Sequence, residues 1–438
     1  MRCSDITSLP LTLPRLPALT ELNLDMGEIS VLLEELGQLS VLRSLVLDMR
    51  NLTALLESIA LITTLQELSL HHLRNLTYLP QEFGQLVSLE KLFMNDLQLL
   101  SHLPESFGQL KALPELKFLE CNQLQQLPNS FSQLSSLEHL EFNICPLLTG
   151  LPVDMGNGMH SLRRVLLLDC PAITRLPPSF SSLTSLETLK ILNVKHFRGP
   201  LLDGFGCLKS LKEQSLDSLP CLSALPASFY DAHSLTPLEV GNCPNVTVLP
   251  EEIGRLRALE EVRIFAMDAL RCLPPSLLEL PCLRSLDVRA CGALRAVLGD
   301  EKLHRLRQLP ESLGQLKKLE TLDIIECFEL TQLPESFVNL CKLQSCSLVK
   351  VGISTIPDDI WKLSSLKKLL ILGLTRVRSL PDSFTQLPKL EDLEVRECKK
   401  LARLPPSPEN ADDTDFDDYR GGWGDTSDDE DEYLPVVG

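Results

Sequence analysis

The chain has 438 residues and a formal net charge of −18, with 59 acidic against 41 basic side chains. That balance argues against direct nucleic-acid binding, which relies on basic surface. Hydrophobic residues make up 44% but aromatics only 5%, so the core has to be built mainly from leucine.

The first ten residues, MRCSDITSLP, lack a basic start followed by an apolar run of secretory length, so secretion is not expected. No stretch approaches the ~18 uninterrupted apolar residues of a membrane span. A cytoplasmic or nuclear protein is expected.

From Leu9 onward one phrase of about 24 residues recurs. Its anchoring residue stands at Leu9, Leu32, Leu55, Leu79, Leu103, Leu127, Leu151, Leu176, Leu201, Leu225, Leu249, Leu273, Leu309, Leu333, Ile356 and Leu380. A truncated further copy starts at Leu404, and no polar capping unit precedes Leu9. A regular period of this length is the signature of a solenoid, whose function is usually binding along a repetitive surface.

The copy at residues 103–124 reads LPESFGQLKALPELKFLECNQL. Leu116, Lys117 and Phe118 alternate apolar and polar, the period of a strand with one buried face. LPNSF from Leu127 suits a turn into a short helical or irregular stretch, where proline's missing amide does least harm. Serines of this phrase (Ser106, Ser130, Ser179, Ser228) are expected to cap or turn the backbone.

Seven cysteines (Cys121, Cys145, Cys170, Cys243, Cys291, Cys327 and Cys398) share one position of the repeat. They are expected to stack as a buried column of reduced thiols, since a disulfide framework belongs to short secreted chains. The sequons at Asn51, Asn75 and Asn245 fall inside repeats and are read as coincidental.

These motifs resemble the leucine-rich repeat family over about residues 9–405. Cysteine in place of asparagine at the turn, with LPxxFxxL after it, is similar to the repeats of plant intracellular disease-resistance proteins and the related Ras-group type. The resemblance implies an α/β class fold: a curved horseshoe with a parallel β-sheet on the concave face and short helical or irregular segments on the convex face. It also implies a non-enzymatic protein-interaction scaffold, concerned with recognition or defence, that binds protein on its concave face. A regulatory or adaptor subunit of an enzyme or signalling complex, or a truncated resistance-gene fragment, remains the alternative. No GxxxxGK[ST] phosphate loop occurs, so the nucleotide switch of full-length resistance proteins is not carried over.

Concave positions flank the buried strand residues and can be read in columns. One runs through Lys117, Glu141, Leu166, Lys190, Ser215, Glu239, Arg263, Asp287, Asp323, Ser347, Leu370 and Glu394. The column beside it includes Leu119, Leu168, Leu192, Phe265, Ile325, Val349 and Leu372. Exposed apolar residues there mark interaction sites, in two groups: Leu119, Leu166, Leu168 and Leu192, then Phe265, Ile325, Val349, Leu370 and Leu372, with Arg263 beside the second. A register shifted by one residue would turn all of them inward.

The step from Leu273 to Leu309 is twelve residues too long, and the extra stretch at 295–308 is read as a surface insert. From residue 406 to 438 twelve acids face one arginine, Arg420, with Phe416, Tyr419, Trp423 and Tyr433 among them. Such a segment is expected to be disordered. Thr426 and Ser427 each have an acid three residues on, which suits an acid-directed kinase. No cofactor and no metal site is expected. His71 and His72 are adjacent on a strand and are expected to point to opposite faces. Oligomeric state is left open.

Overall fold

A computed structural model describes residues 9–10, 12–25, 29–198, 204–270, 273–291 and 309–402. The insert at 295–308 and the acidic segment 406–438 therefore lie outside the described residues. Sixteen five-residue strands, from β1 (Glu21–Asp25) to β16 (Asp392–Arg396), form one parallel sheet in strict chain order. Strand register follows the repeat: Leu116 pairs with Leu140 and Phe118 with Phe142 between β5 (Glu115–Leu119) and β6 (His139–Asn143). Across the long step, β12 (Ser285–Arg289) still pairs directly with β13 (Thr321–Ile325). The insert does not interrupt the sheet.

On the other side of each coil, the LPxxF phrase makes a 3-10 turn. Proline stands extended at its start (Pro104 φ −71, ψ 154), and its carbonyl accepts the Phe107 amide at 3.0 Å. The convex elements are thus 3-10 rather than α-helical; one four-residue α-helix, Met155–Gly158, occurs among the described residues. A 24-residue coil leaves room for only one tight turn there, and short 3-10 pieces suit such connectors.

Between the two sides lies the leucine core, closed only by stacking. Phe83, Phe107 and Phe131 form a second ladder, with ring centroids 5.8 and 6.0 Å apart. Gly84 follows Phe83 because a side chain there would meet the Ser106 carbonyl of the next coil at 1.8 Å. From β3 (Glu67–His71) onward, strands are closed by a residue with positive φ, such as Glu120 (φ 56) and Ile144 (φ 58). Its amide donates to the next coil, Glu120 N–H to Asn143 O at 2.9 Å. That bond, repeated along the stack, offsets a left-handed conformation that costs an L-residue about 1–2 kcal/mol.

One core position breaks the pattern. Gln214 on β9 (Glu213–Asp217) takes a leucine's place between Leu189 and Leu238, at 1% exposure. Neither end of its amide finds a hydrogen bond among the described residues. Gln214→Leu should therefore raise stability by about 1–3 kcal/mol, the usual penalty of an unpaired buried polar group. A urea midpoint equal to or below that of the parent chain would refute this.

Candidate protein-binding surface

The solvent face of the sheet carries the columns read from the repeat, in the expected register. Lys117, Glu141, Leu166 and Lys190 stand side by side across β5, β6, β7 (Arg164–Leu168) and β8 (Thr188–Leu192). The alternating burial of β5, with Leu116 and Phe118 inside and Lys117 and Leu119 half-buried, removes the one-residue slip. Leu119, Leu166, Leu168, Leu192, Phe265, Ile325, Val349, Leu370 and Leu372 are all half-buried on this face, and Arg263 is exposed there.

Their grouping differs from the expected one. Asn143 separates Leu119 from Leu168, so the first group is the triplet Leu166, Leu168 and Leu192 with Leu119 as an outlier. Phe265, at the end of β11 (Glu261–Phe265), is cut off from Ile325 by Arg289. Its ring lies over Gly241 on β10 (Pro237–Gly241), where an added Cβ would sit 2.1 Å from the ring. Gly241 leaves the space that turns the phenyl away from the later strands. What remains contiguous is Ile325, Val349 and Leu372, side by side across β13, β14 (Ser345–Val349) and β15 (Lys368–Leu372), with Leu370 on the same face.

Charge frames this apolar quartet. Asp287 and Asp323 are register partners, and the nearly buried Asp287 accepts the Arg289 guanidinium at 2.6 Å. That hydrogen bond raises the arginine pKa, and the charge of Asp323 adds to the effect. Arg263 sits 4.0 Å from Glu239 and 3.7 Å from Glu261, so it is tied to neighbours on its own side of Phe265.

One apolar residue of this face lies outside the columns read from the sequence. Phe93, 39% exposed on β4 (Lys91–Asn95), precedes Lys117 by one repeat; extending the column by one coil finds it. His71 ends β3 on this face, but His72 does not oppose it. A positive φ of 54° takes His72 out of strand geometry, leaving the rings 6.4 Å apart and His72 Nδ1 3.0 Å from Asp48 Oδ1. Burial lowers the His71 pKa, opposed by Asp48. Among the described residues no group of three or more side chains could hold a metal ion.

The cysteine column is buried at six of seven positions, Cys398 being half-buried. Its thiols bond across coils: Cys145 Sγ donates to Phe118 O at 3.7 Å, Cys170 Sγ to Phe142 O at 3.8 Å and Cys327 Sγ to Val288 O at 3.7 Å. Hydrogen bonding to the neighbouring thiol, with burial, drives Cys145 and Cys170 well above the usual range. Burial pushes Cys243 and Cys291 up to about 11 and Cys327 up to about 12. Protonated thiols of this kind are poor nucleophiles, so the column is structural.

Ser106, Ser130 and Ser179 of the LPxSF phrase make no cap bond within their own turns. Ser106 and Ser179 accept the amides of Gly84 and Gly156 in the preceding coil, at 3.0 and 3.1 Å, while Ser130 Oγ is buried without a partner among the described residues. The sequon residues Asn75 and Asn245 likewise donate to backbone of the preceding coil, at Arg50 O and Pro220 O.

Comparison with solved structures agrees with this architecture. A Leptospira interrogans leucine-rich-repeat protein is 27% identical, covers 90% of this chain and 94% of its own, and superposes with a TM-score of 0.66. The structure of the Drosophila Toll–Spätzle complex matches at 20% identity over 82% of this chain and 43% of that one, TM-score 0.57. No family model and no curated protein matches the sequence. The fold is a leucine-rich-repeat solenoid.

Proposed function

We propose that this chain is a protein-interaction scaffold that engages its partner through the solvent face of the sheet, in a recognition role like that of the plant intracellular disease-resistance repeats its motifs resemble. The observation that carries this reading is the quartet Ile325, Val349, Leu370 and Leu372, apolar side chains held in line toward solvent by strand pairing. A contiguous apolar patch with a charged frame matches the anatomy of binding surfaces, an apolar centre inside a polar rim. The triplet Leu166, Leu168 and Leu192 offers a second contact about six strands away along the same face. The free thiols of the column suit a reducing compartment, the cytosol or nucleus.

Leu370→Glu combined with Leu372→Glu should leave the fold intact, because both side chains face solvent. Partner capture should fall by roughly 30-fold or more, as for loss of a ~2 kcal/mol hot spot. Quantitative affinity capture from the native cells, with circular dichroism as the folding control, reads this out. Undiminished capture by the folded double variant would remove the quartet from the interface. A single stoichiometric host partner would favour an adaptor subunit over a recognition role.

A further inference from the structure

The surface that would bind a partner has a second candidate occupant within the chain itself. We infer that the acidic, aromatic-bearing segment at residues 406–438 docks in cis on the Ile325–Val349–Leu370–Leu372 patch and masks it. This rests on the reading of that patch as a binding surface.

Three observations carry it. The first is charge. Directly beyond the C-terminal ends of β15 and β16 stand four exposed cations, Arg376, Arg378, Lys399 and Lys400. None of the four forms an ion pair with a carboxylate among the described residues; Arg376 only reaches Gly352 O at 3.4 Å. Of the nearby acids, Glu326 is paired with Lys350 at 3.2 Å and Glu394 with Arg396 at 3.0 Å, while Glu397 stands exposed beside Lys399. Asp323 lies toward Arg289. The segments that follow β15 and β16 therefore carry an excess of positive charge in a chain that is strongly negative as a whole.

The second observation is the chemistry of the segment. Its twelve acids and single arginine make it the most acidic stretch of the chain, and Phe416, Tyr419 and Trp423 fall within eight residues. Aromatic side chains fit a half-buried aliphatic patch, and the interspersed carboxylates fit the cations at its edge.

The third is reach. The described residues end at Ala402, whose amide is bonded to Arg378 O at 2.9 Å. Phe416 lies fourteen positions beyond Ala402. An unstructured chain of that length would span on the order of 20 Å on average. The far strand of the patch, β13, is three strand spacings from β16, about 14 Å. The tether thus holds the aromatics near the patch at an effective concentration in the millimolar range, enough to populate even a weak contact. A partner then has to displace the segment. Added negative charge at Thr426 or Ser427 strengthens the electrostatic part of the mask.

The test uses the full chain. Trp361 lies on a 3-10 turn away from the sheet face, so Trp361→Phe leaves Trp423 as the sole tryptophan. Trp423 emission should be blue-shifted, and its quenching by acrylamide at least about 2-fold slower than in a free peptide of residues 406–438. Leu370→Glu with Leu372→Glu should abolish that protection. So should Arg376→Glu with Lys400→Glu, which alters only exposed side chains and keeps the test decisive if the first pair unfolds. Salt at about 0.5 M should weaken it by screening. Trp423 as accessible in the chain as in the peptide would overturn the inference, as would protection insensitive to both variant pairs. Protection that grows with protein concentration would assign the segment to a second copy and overturn the cis assignment. These readouts need no partner. Loss of capture in the patch variant with a freely accessible Trp423 sinks the mask alone, whereas patch-dependent protection with undiminished capture sinks only the binding proposal.

Discussion

Phe118→Ala is expected to destabilise the solenoid by about 3–5 kcal/mol, the range for deleting a fully buried phenyl ring. Phe118 is completely buried on β5. Its ring stacks on Phe142 at 4.8 Å and 5°, and meets Phe131 at 6.4 Å. It therefore belongs to the interface between two coils as much as to its own coil. Stability in a solenoid is close to a sum of coil terms and nearest-neighbour terms, so a cavity at this interface weakens coupling between the two halves. Urea unfolding should show a lower midpoint and a broader transition, with Phe118→Leu losing much less. A loss below about 1 kcal/mol would show that the neighbouring leucines close the cavity, contrary to a tightly stacked core.

Alkaline pH should also unfold the chain, through the thiol column. In the folded state burial raises Cys243 and Cys291 to about 11 and Cys327 to about 12, from an ordinary value of 9.0. Unfolding frees these thiols to ionise near the ordinary value. Their contribution is fully present below about pH 9 and is lost as pH rises through the folded values. A thiol held that far above its ordinary value contributes on the order of 2–4 kcal/mol, so the combined loss by pH 11 is comparable to typical domain stability. Urea midpoints measured from pH 8 to pH 11 should fall steeply above pH 9. Replacing Cys243, Cys291 and Cys327 together by valine should flatten that fall. An equally steep fall in the triple variant would place the titrating groups elsewhere.

Much of this surface was legible in the sequence. The strand pattern around Leu116 and Phe118 set the inward positions, and residues one repeat apart had to become neighbours once the coils stacked. That is why Leu166, Leu370 and their columns landed on the solvent face in the expected register. Phe93 stands one coil before Lys117 in the same column, so the same spacing reaches it. The grouping was not legible, since it turns on side-chain direction. Gly241 opens the space that Phe265 fills, and Arg289 is drawn to Asp287 across the gap that would have joined Phe265 to Ile325. His72 was misread for a related reason: period-2 alternation holds only while the backbone stays extended.

By itself the sequence determined the period, the parallel stacking and the division of each coil into inward and outward residues, because a fixed spacing of leucines admits one way of burying them. Only the tertiary structure decided how the coils are joined. The convex turns are 3-10, Ser106 and Cys170 bond to the coil before their own, and Gln214 sits unpaired in the core. Each depends on which atoms of one coil approach the next within hydrogen-bonding or van der Waals distance. Spacing along a chain fixes which residues face each other, and short-range contact between coils fixes what they do there.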